Sequence, residues 1–403
     1  MGDWLSRLSF RTAGESHGPG IVAILEGLPR GLPLDVGAID RMLALRQGGA
    51  GRGGRQRIEQ DRVEVLAGVR RGTTIGSPLA LLVRNRDATI DTLPQLASPR
   101  PGHADLAGCY RYGDHDIRAT LERASARETA GRVAAGAVAA QLLAAVGCRV
   151  FGFVRRVATA TLAPELPGAG DLERLDELRA RRDASRLYTL APDAEAAMLA
   201  CVQAAAAAGD TVGGVVEVHA TGVLPGLGSH LQWSERLDAR LAGALMSIQA
   251  IKGVEIGLGF AAAALRGSQV HDVIEPGPAG LRRATNCAGG LEGGMTDGAP
   301  LVVRAAMKPI STLRAPLASV DLASGIATAS AYERADVCAV PAAAVIAEAM
   351  VALVLADAYL ARAGGETVDE FVARCAALAE RAAALGRPPD ASQPDAKKAP
   401  LEP

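Results

Sequence analysis

Residues 12–20 read TAGESHGPG, and within them Gly14-Glu15-Ser16-His17-Gly18 fits the pattern G-x-S-x-G letter for letter. In an α/β-hydrolase that pattern is a strained strand-to-helix turn that exposes a nucleophilic serine. Position argues against this reading. Such a turn follows a mid-sheet strand, after an earlier loop has supplied part of the oxyanion hole, and the few residues ahead of Ser16 leave no room for those strands. Patterns built on two glycines also arise by chance in a chain with 46 glycines. With the hydrolase fold set aside, His17 becomes the more interesting residue.

Working outward, the stretches GIVAILEGL, DRVEVLAGV, PLALLVRN, GVVEVHATGV and PLVVRAAM read as strands, alternating in polarity or rich in β-branched residues. Helical patterns separate them. Leu237, Leu241, Leu245, Ile248 and Ile251 recur every three or four residues after Ser234, which reads as an N-cap. Another helix is expected from about Arg118 to Val146, stopping at Gly147. Pro341 suits a first helical turn, and Gly364-Gly365 should end that helix. Hairpin-like strands mixed with isolated long helices, without a steady βαβ rhythm, point to an α+β fold. The charged, proline-bearing stretch from Ala163 to Asp193 reads as a surface excursion. Residues 1–385 read as one catalytic domain, and the proline-rich end, 386–403, as a disordered tail.

Composition bounds the function. The chain is 49% hydrophobic and 22% charged, which suits a globular protein with a sizeable core, and at 3% aromatic that core must be filled by alanine and leucine. A net charge of −1 argues against a general nucleic-acid binder. The six cysteines are scattered without a C-x-x-C pair, as reduced cytoplasmic thiols would be. The N-terminus is too polar for a signal peptide. The apolar run from Val340 to Ala363 contains Glu348, Asp357 and Arg362, so it reads as a buried helix and not a membrane span. None of the six histidines has a partner at metal-ligand spacing, and no metal is expected.

Polar residues cluster in glycine-rich turns. LRQGGAGRGGRQR holds Arg46, Arg52, Arg55 and Arg57 around five glycines. Spacing leaves two readings open there, a solvated basic loop or a clamp for phosphate and carboxylate. RNA-binding surfaces stack aromatics on bases, and none is interleaved. RPGHADLAGCYRYG holds Arg100, His103, Asp105 and Arg111. LERASARETAGR sets Arg123, Ser125, Arg127 and Glu128 at the front of a helix, where early N–H groups favour an anion. MKPIST follows a strand, and YERADVCAVP places Arg334 and Asp336 before the Pro341 helix. Composition and spacing alone support an enzyme acting on a small, multiply anionic substrate.

Taken in order, TAGESHG, RQGGAGRGGR, RPGHADLAG, RYG, LERASARETAGRVAAG, DTVGGVVE, SIQAIKGVEIG, NCAGGLEGGMTDG, RAAMKPIST and CAVPAAAVIAEAMVALVLA resemble chorismate synthase over nearly the whole chain. The resemblance implies a 1,4-trans elimination of phosphate from 5-enolpyruvylshikimate 3-phosphate, giving chorismate. It implies a reduced FMN cofactor without net redox change, with NADPH as a source of reductant. It also implies a β-α-β sandwich-like α+β fold, a cytoplasmic enzyme and a homotetramer. By the same match Arg123, Ala124, Ser125, Gln249, Ala250, Gly293, Lys308, Pro309, Ile310, Ser311, Thr312 and Arg334 fall on the flavin segments. Arg46 and Arg52 match positions given to NADP or to the substrate's anions. A bidentate fork suits the substrate better, with Ser16 and Arg127 beside it. The implied catalytic trio is His17, which protonates the departing phosphate, His103, which balances charge on the reduced flavin, and Asp336, which helps flavin N5 accept the C6 proton. This chain departs from the family at Ala335, where His or Ser is usual, at Arg111, where lysine is common, and at Ala50, where an aromatic is common.

Overall fold

The computed structural model describes residues 7–53, 60–163, 172–277, 280–333 and 336–385. A four-stranded antiparallel sheet is built from β1 (Ser9–Ala13), β2 (Gly20–Glu26), β3 (Val63–Ala67) and β4 (Leu79–Arg84), in the order β1-β2-β4-β3. A five-stranded antiparallel sheet takes β5 (Arg149–Val157), β6 (Ala160–Thr161), β7 (Gly214–Thr221), β8 (Ile251–Ile256) and β9 (Leu301–Met307), in the order β8-β9-β7-β5-β6. All five stretches read as strands from sequence are strands here. Their alternation explains the burial, because successive side chains point to opposite faces. Ile21, Ala23 and Leu25 of β2 and Leu79, Leu81 and Val83 of β4 are buried, and the residues between them are not.

The longer helices are α1 (Val36–Gln47), α2 (Asp105–Tyr112), α3 (Arg118–Ala124), α4 (Thr129–Ala144), α5 (Leu172–Ala184), α6 (Pro192–Ala207), α7 (Leu237–Met246), α8 (Val340–Ala363) and α9 (Val368–Ala383). Helix α4 covers β2 and β4, α8 covers β5 and β7, and the two helices pack on each other. The layers are therefore sheet, helix, helix, sheet, the α+β sandwich expected. The buried residues of all four layers form one continuous apolar core.

Alanine and glycine set the spacing of these layers. A Cβ on Gly136 of α4 would lie 2.4 Å from Ala349 Cβ of α8, and one on Gly152 of β5 would lie 2.6 Å from the Ala344 carbonyl oxygen. Helix α8 is as apolar as a membrane span, yet 94% of its most apolar window is buried in the protein. Its two buried carboxylates are satisfied internally, as buried charges must be. Glu348 accepts from Arg182 Nη1 at 2.6 Å and from the Gly152 N–H at 2.9 Å, and Asp357 accepts from the Leu8 N–H at 2.7 Å and from Arg240. Pro341 lies in the first turn and Gly364 closes the helix at φ 64°.

Three expectations fail. The helix expected from Arg118 to Val146 is broken at Ser125, which is extended at ψ 143° between α3 and the short 3-10 turn Ala126–Glu128. The serine hydroxyl accepts from the Arg127 N–H, a local bond that competes with helix continuation. Ser234 is not an N-cap. It lies in the turn closed by Glu235 N–H on the Gln232 carbonyl, and α7 starts at Leu237 with Arg236 as its cap residue. Of the stretch from Ala163 to Asp193, the described segment, residues 172–193, is not a surface excursion, since Leu175, Leu178, Leu187 and Leu190 are buried and Arg182 reaches into the core. Its charges misled because Arg182's partner, Glu348, lies far along the chain. The tail expected at 386–403 lies outside the described residues.

The Gly136 contact gives a test with an inverted sign. Gly to Ala inside a helix ordinarily stabilises by about 1 kcal/mol. Gly136→Ala should instead destabilise by about 1–3 kcal/mol, because the added methyl must push α4 and α8 apart. Thermal unfolding decides, and a raised melting temperature would show that the helices have room.

Candidate active site

Loops from one end of the sandwich carry most of the predicted site residues. The loop between β1 and β2 presents Ser16 and His17. The His17 N–H donates to Glu122 Oε2 at 2.8 Å, and its ring Nδ1 lies 2.9 and 3.0 Å from the two carboxylate oxygens. An ionised carboxylate only accepts, so Nδ1 carries the proton. Burial pushes the Glu122 carboxyl up, but the His17 hydrogen bonds and the Arg118 charge outweigh it and hold the group below its ordinary value. Ser16 is buried, with its Oγ accepting from Ser125 Oγ at 3.1 Å. The imidazole beside it turns to Glu122, so this loop is not built as a serine nucleophile.

Asn85 fastens the same loop. Its Nδ2 donates to the carbonyls of Glu15, Ser16 and Gly18, and its Oδ1 accepts from Arg127 Nε at 2.7 Å. Arg127 Nη1 donates to both oxygens of Asp61 at 2.6 and 2.8 Å, and Arg46 Nη2 donates to Asp61 Oδ2 at 3.0 Å. Arg52 Nη2 reaches the Arg46 carbonyl at 3.5 Å, and its Nη1 donates to Asp336 Oδ2 at 2.6 Å. The Gly53 N–H donates to Asp336 Oδ1 at 2.7 Å. A hydrogen-bonded path thus runs from the His17 loop to Asp336. Glycine makes the last link possible. Gly51 is left-handed at φ 86°, and a Cβ there would meet Cys338 Cβ at 2.8 Å, so the turn packs directly against the start of α8.

These arginines are costly to bury. Desolvation pushes the Arg46 guanidinium down to about 10, opposed by Asp61 and reinforced by the neighbouring Arg127 and Arg52. Among the described residues the buried Nε atoms of Arg46 and Arg52 have no hydrogen-bond partner. A cluster so charged and incompletely paired suits an anionic ligand.

A second group forms around His103. Its Nδ1 pairs with Asp105 Oδ1, and Asp105 Oδ2 accepts from Arg100 Nε at 2.8 Å. Burial raises the Asp105 carboxyl, but hydrogen bonds from His103 and Arg100 dominate and hold it well below the usual range. Arg100 Nη1 donates to Thr312 Oγ1 at 3.0 Å. Lys308 Nζ donates to Ser311 Oγ at 2.8 Å, and Ser311 Oγ to the Gly102 carbonyl at 2.9 Å. Burial, then the Lys252 charge, pushes the Lys308 amine below its ordinary value. The Pro309 carbonyl also accepts from Lys308 Nζ, and that of Ile310 from Thr211 Oγ1. Ala250, left-handed at φ 68°, accepts the Lys308 N–H at 2.9 Å. Segments 249–250 and 308–312 therefore meet the His103 loop.

Gln249 also closes a third group. Its Nε2 donates to Glu128 Oε2 at 3.2 Å, Thr12 Oγ1 donates to Glu128 Oε1 at 2.5 Å, and Arg123 donates to the Gly14 and Thr12 carbonyls. Ala124 ends α3 between Arg123 and Ser125. A cleft of about 480 Å³ opens here, lined by Phe10, Thr12, Arg123, Arg132, Gln249 and Met350 among others.

Among the described residues, one predicted site residue is not brought in. Gly293 sits in the hairpin Leu291–Glu292 and Met295–Thr296, whose Gly290 packs on Pro300. Strand β9 runs from there to Met307, beside Lys308, a separation of about 20 Å within the chain. Arg334, with the departure at Ala335, lies outside the described residues, as do Arg55 and Arg57. The larger cavity, about 990 Å³ on the face of β7 turned away from α8, is lined by Arg155, Glu217, His219 and Arg304 and holds none of the predicted residues. Glu217 there accepts from Arg304 at 2.6 Å and is paired with His219 at 2.7 Å. Volume does not mark the site.

Sequence reasoning gave no role to Glu122, Asp61 or Asn85. Glu122 stood inside the quoted LERASARETAGR stretch, and an acid beside a run of arginines was the available signal. Asp61 and Asn85 gave none, since their arginine partner lies 66 and 42 residues away.

Comparison with known proteins agrees with the motif order. The family model described as chorismate synthase matches residues 8–360. A chorismate synthase of Desulforudis audaxviator is 52% identical over 379 residues, 91% of this chain and 95% of the relative. One of Symbiobacterium thermophilum is 52% identical over 381 residues, 90% of this chain and 96% of the relative. A crystal structure of chorismate synthase superposes with a TM-score of 0.77 at 42% identity, covering 94% of this chain and 98% of that one.

If the arginine cluster is an anion clamp, Arg46→Ala or Arg52→Ala should weaken binding of the phosphorylated dicarboxylate substrate. One lost charge-assisted hydrogen bond costs about 1.5–3 kcal/mol, roughly ten- to hundredfold. Calorimetric titration with flavin present measures it, and unchanged affinity in both variants would return this loop to a purely structural role.

Proposed function

The chain belongs to the chorismate synthase family, and from that premise we propose how its loops divide the work. The reaction is the shikimate-pathway elimination of phosphate from 5-enolpyruvylshikimate 3-phosphate, a carbon–oxygen lyase step that leaves chorismate. A C–O bond to phosphate and a C–H bond at C6 both break, so one proton must be held and another supplied. The family requires a reduced flavin. When bound, it supplies the electron-rich ring that eases this cleavage without net redox change.

The residues present fit such a group. Segments 123–125, 249–250 and 308–312 form the proposed lip, with Arg123, Arg132 and Gln249 lining the cleft and half-buried Lys308 tied to Ala250 beside it. Gln249 Oε1 is buried without a partner among the described residues, an acceptor in want of a donor. We read the flavin as FMN, held by these residues with Arg334, and NADPH as a source of its electrons. Exposed Trp233, Phe260 and Ile326 favour the homotetramer, and the free cysteines favour a reducing cytoplasm.

Arg46, Arg52 and Arg127 grip the substrate's phosphate and carboxylates, with Ser16 positioning the substrate beside them. His17 gives the proton on Nε2 to the departing phosphate. His103, braced by Asp105 and Arg100, places positive charge beside the flavin lip. Asp336 assists removal of the C6 proton through a carboxylate oxygen. Among the described residues each of its oxygens accepts one hydrogen bond, from Arg52 or Gly53, and a carboxylate oxygen has a second lone pair. Its partners are these loop groups, so it is not merely a charge on the α8 N-terminus. The single observation that carries this reading is the bonded path from the His17 loop through Asn85, Arg127, Asp61, Arg46 and Arg52 to Asp336.

Anaerobic phosphate release tests it. Turnover should require dithionite-reduced FMN, and equal chorismate formation with oxidised FMN would contradict the reading. His17→Ala and Asp336→Asn should each slow turnover by roughly 10²–10⁴-fold, the usual worth of a positioned acid or base, with flavin still bound. A wild-type rate in either variant would remove that residue from the chemistry.

A further inference from the structure

Glu122 belongs to none of the segments that match the flavin or substrate positions, yet its carboxylate is spent almost wholly on His17. It is 1% exposed, and among the described residues it touches the His17 N–H, both oxygens face the His17 Nδ1, and Arg118 Nη1 lies 3.5 Å behind it. A buried carboxylate needs such partners to remain ionised. Holding the loop does not explain the ring contact. Asn85 already ties that loop through three carbonyls, and the Ser16 N–H donates to the Glu122 backbone carbonyl at 3.0 Å. The carboxylate is aimed at the imidazole.

We propose that Glu122 is a positioning residue that keeps the His17 proton on Nδ1, so that Nε2 is the atom that exchanges a proton with substrate, and that Arg118 holds Glu122 for this task. The proposal rests on the reading of His17 as the general acid. The proton balance is simple. The imidazolium carries a proton on each nitrogen; the one on Nε2 passes to a phosphate oxygen, and the neutral ring left behind is the Nδ1–H form that Glu122 accepts from. Glu122 stays ionised throughout. A free neutral imidazole has no such fixed tautomer, since the partner of the other nitrogen decides it.

The second histidine repeats the arrangement. Asp105 takes the His103 Nδ1, and Arg100 takes Asp105 at 2.8 Å. Both predicted histidines therefore stand on a buried carboxylate backed by an arginine. Arg118 is itself tied down, with its Nε on the Pro94 carbonyl at 3.1 Å and its Nη1 3.3 Å from Glu333. It thereby links α3 to Glu333, three residues before Asp336 in the sequence.

The test compares the full-length enzyme with Glu122→Gln, Glu122→Ala and His17→Ala, using ¹⁵N-histidine NMR beside anaerobic kinetics. In the wild type, neutral His17 should show a protonated Nδ1 and an unprotonated Nε2. Glu122→Gln keeps an acceptor oxygen and the shape but loses the charge; kcat should fall about tenfold or more with KM and FMN affinity within about threefold. Glu122→Ala should add tautomer exchange at His17 and a loss approaching that of His17→Ala, roughly 10²–10⁴-fold. If Glu122→Ala does not fold, the isosteric Gln variant carries the comparison. Wild-type kcat and tautomer in the Gln variant, with His17→Ala impaired, would overturn the proposal and leave the acid role intact. Wild-type turnover of His17→Ala would overturn the acid role itself, and Glu122 would then be a structural anchor.

Discussion

The Asp61 carboxylate, fully buried, accepts two hydrogen bonds from Arg127 and one from Arg46, and without it these guanidiniums could not lie side by side in the protein. Placing like charges together away from water is among the most expensive arrangements available to a fold. The lowered pKa of Arg46 shows that Asp61 offsets this incompletely. What remains is a standing demand for negative charge, which the proposed substrate, with one phosphate and two carboxylates, would meet. From this one carboxylate the other parts follow. Arg127 leads through Asn85 to the His17 loop, and Arg46 leads through Arg52 to Asp336.

Such a cluster needs a frame that does not yield, and the sandwich provides it. Helices α4 and α8 touch almost backbone to backbone at Gly136 and Ala349, so the sheets on either side keep a fixed distance. The loops that hold the site leave these layers near their ends. Thr129, the first residue of α4, receives Arg46 Nη1 at 3.3 Å, and the glycine turn after α1 packs on the residues that start α8. An alanine-rich core therefore has a direct bearing on the chemistry. It brings three stretches of chain, from residues 46–53, 122–129 and 336–341, within reach of one another.

Much of this was legible in the sequence, and the pattern of success has a physical cause. Strands such as Gly20–Glu26 and Leu79–Arg84 announce themselves because one face is buried and the period is two. Helix α8 announces itself through Pro341, Gly364 and a long apolar run. Failures occurred where a tertiary bond overrides local preference. Ser125 interrupts a good helical stretch because its hydroxyl caps the next turn and meets Ser16, and no periodicity records that. Arg182 looked like surface because its partner Glu348 is 166 residues away. In the site, motif order pointed to side chains that the fold brings near one another, whereas Glu122, Asp61 and Asn85 contact them from long separations along the chain. Gly293 matched a motif, yet the fold sets it at the far end of β9 within this chain.

In the proposed site the Asp61-centred arginines, His17 and Asp336 form one substrate pocket, next to a flavin lip made by residues 123–125, 249–250 and 308–312. A crystal structure of the enzyme with 5-enolpyruvylshikimate 3-phosphate and oxidised FMN tests it most directly. The account predicts substrate anions on Arg46, Arg52 and Arg127, His17 Nε2 within hydrogen-bond reach of the phosphate, and Asp336 on the side of C6. Substrate density in the larger cavity beside Glu217 and His219, with the arginine cluster unchanged, would contradict it.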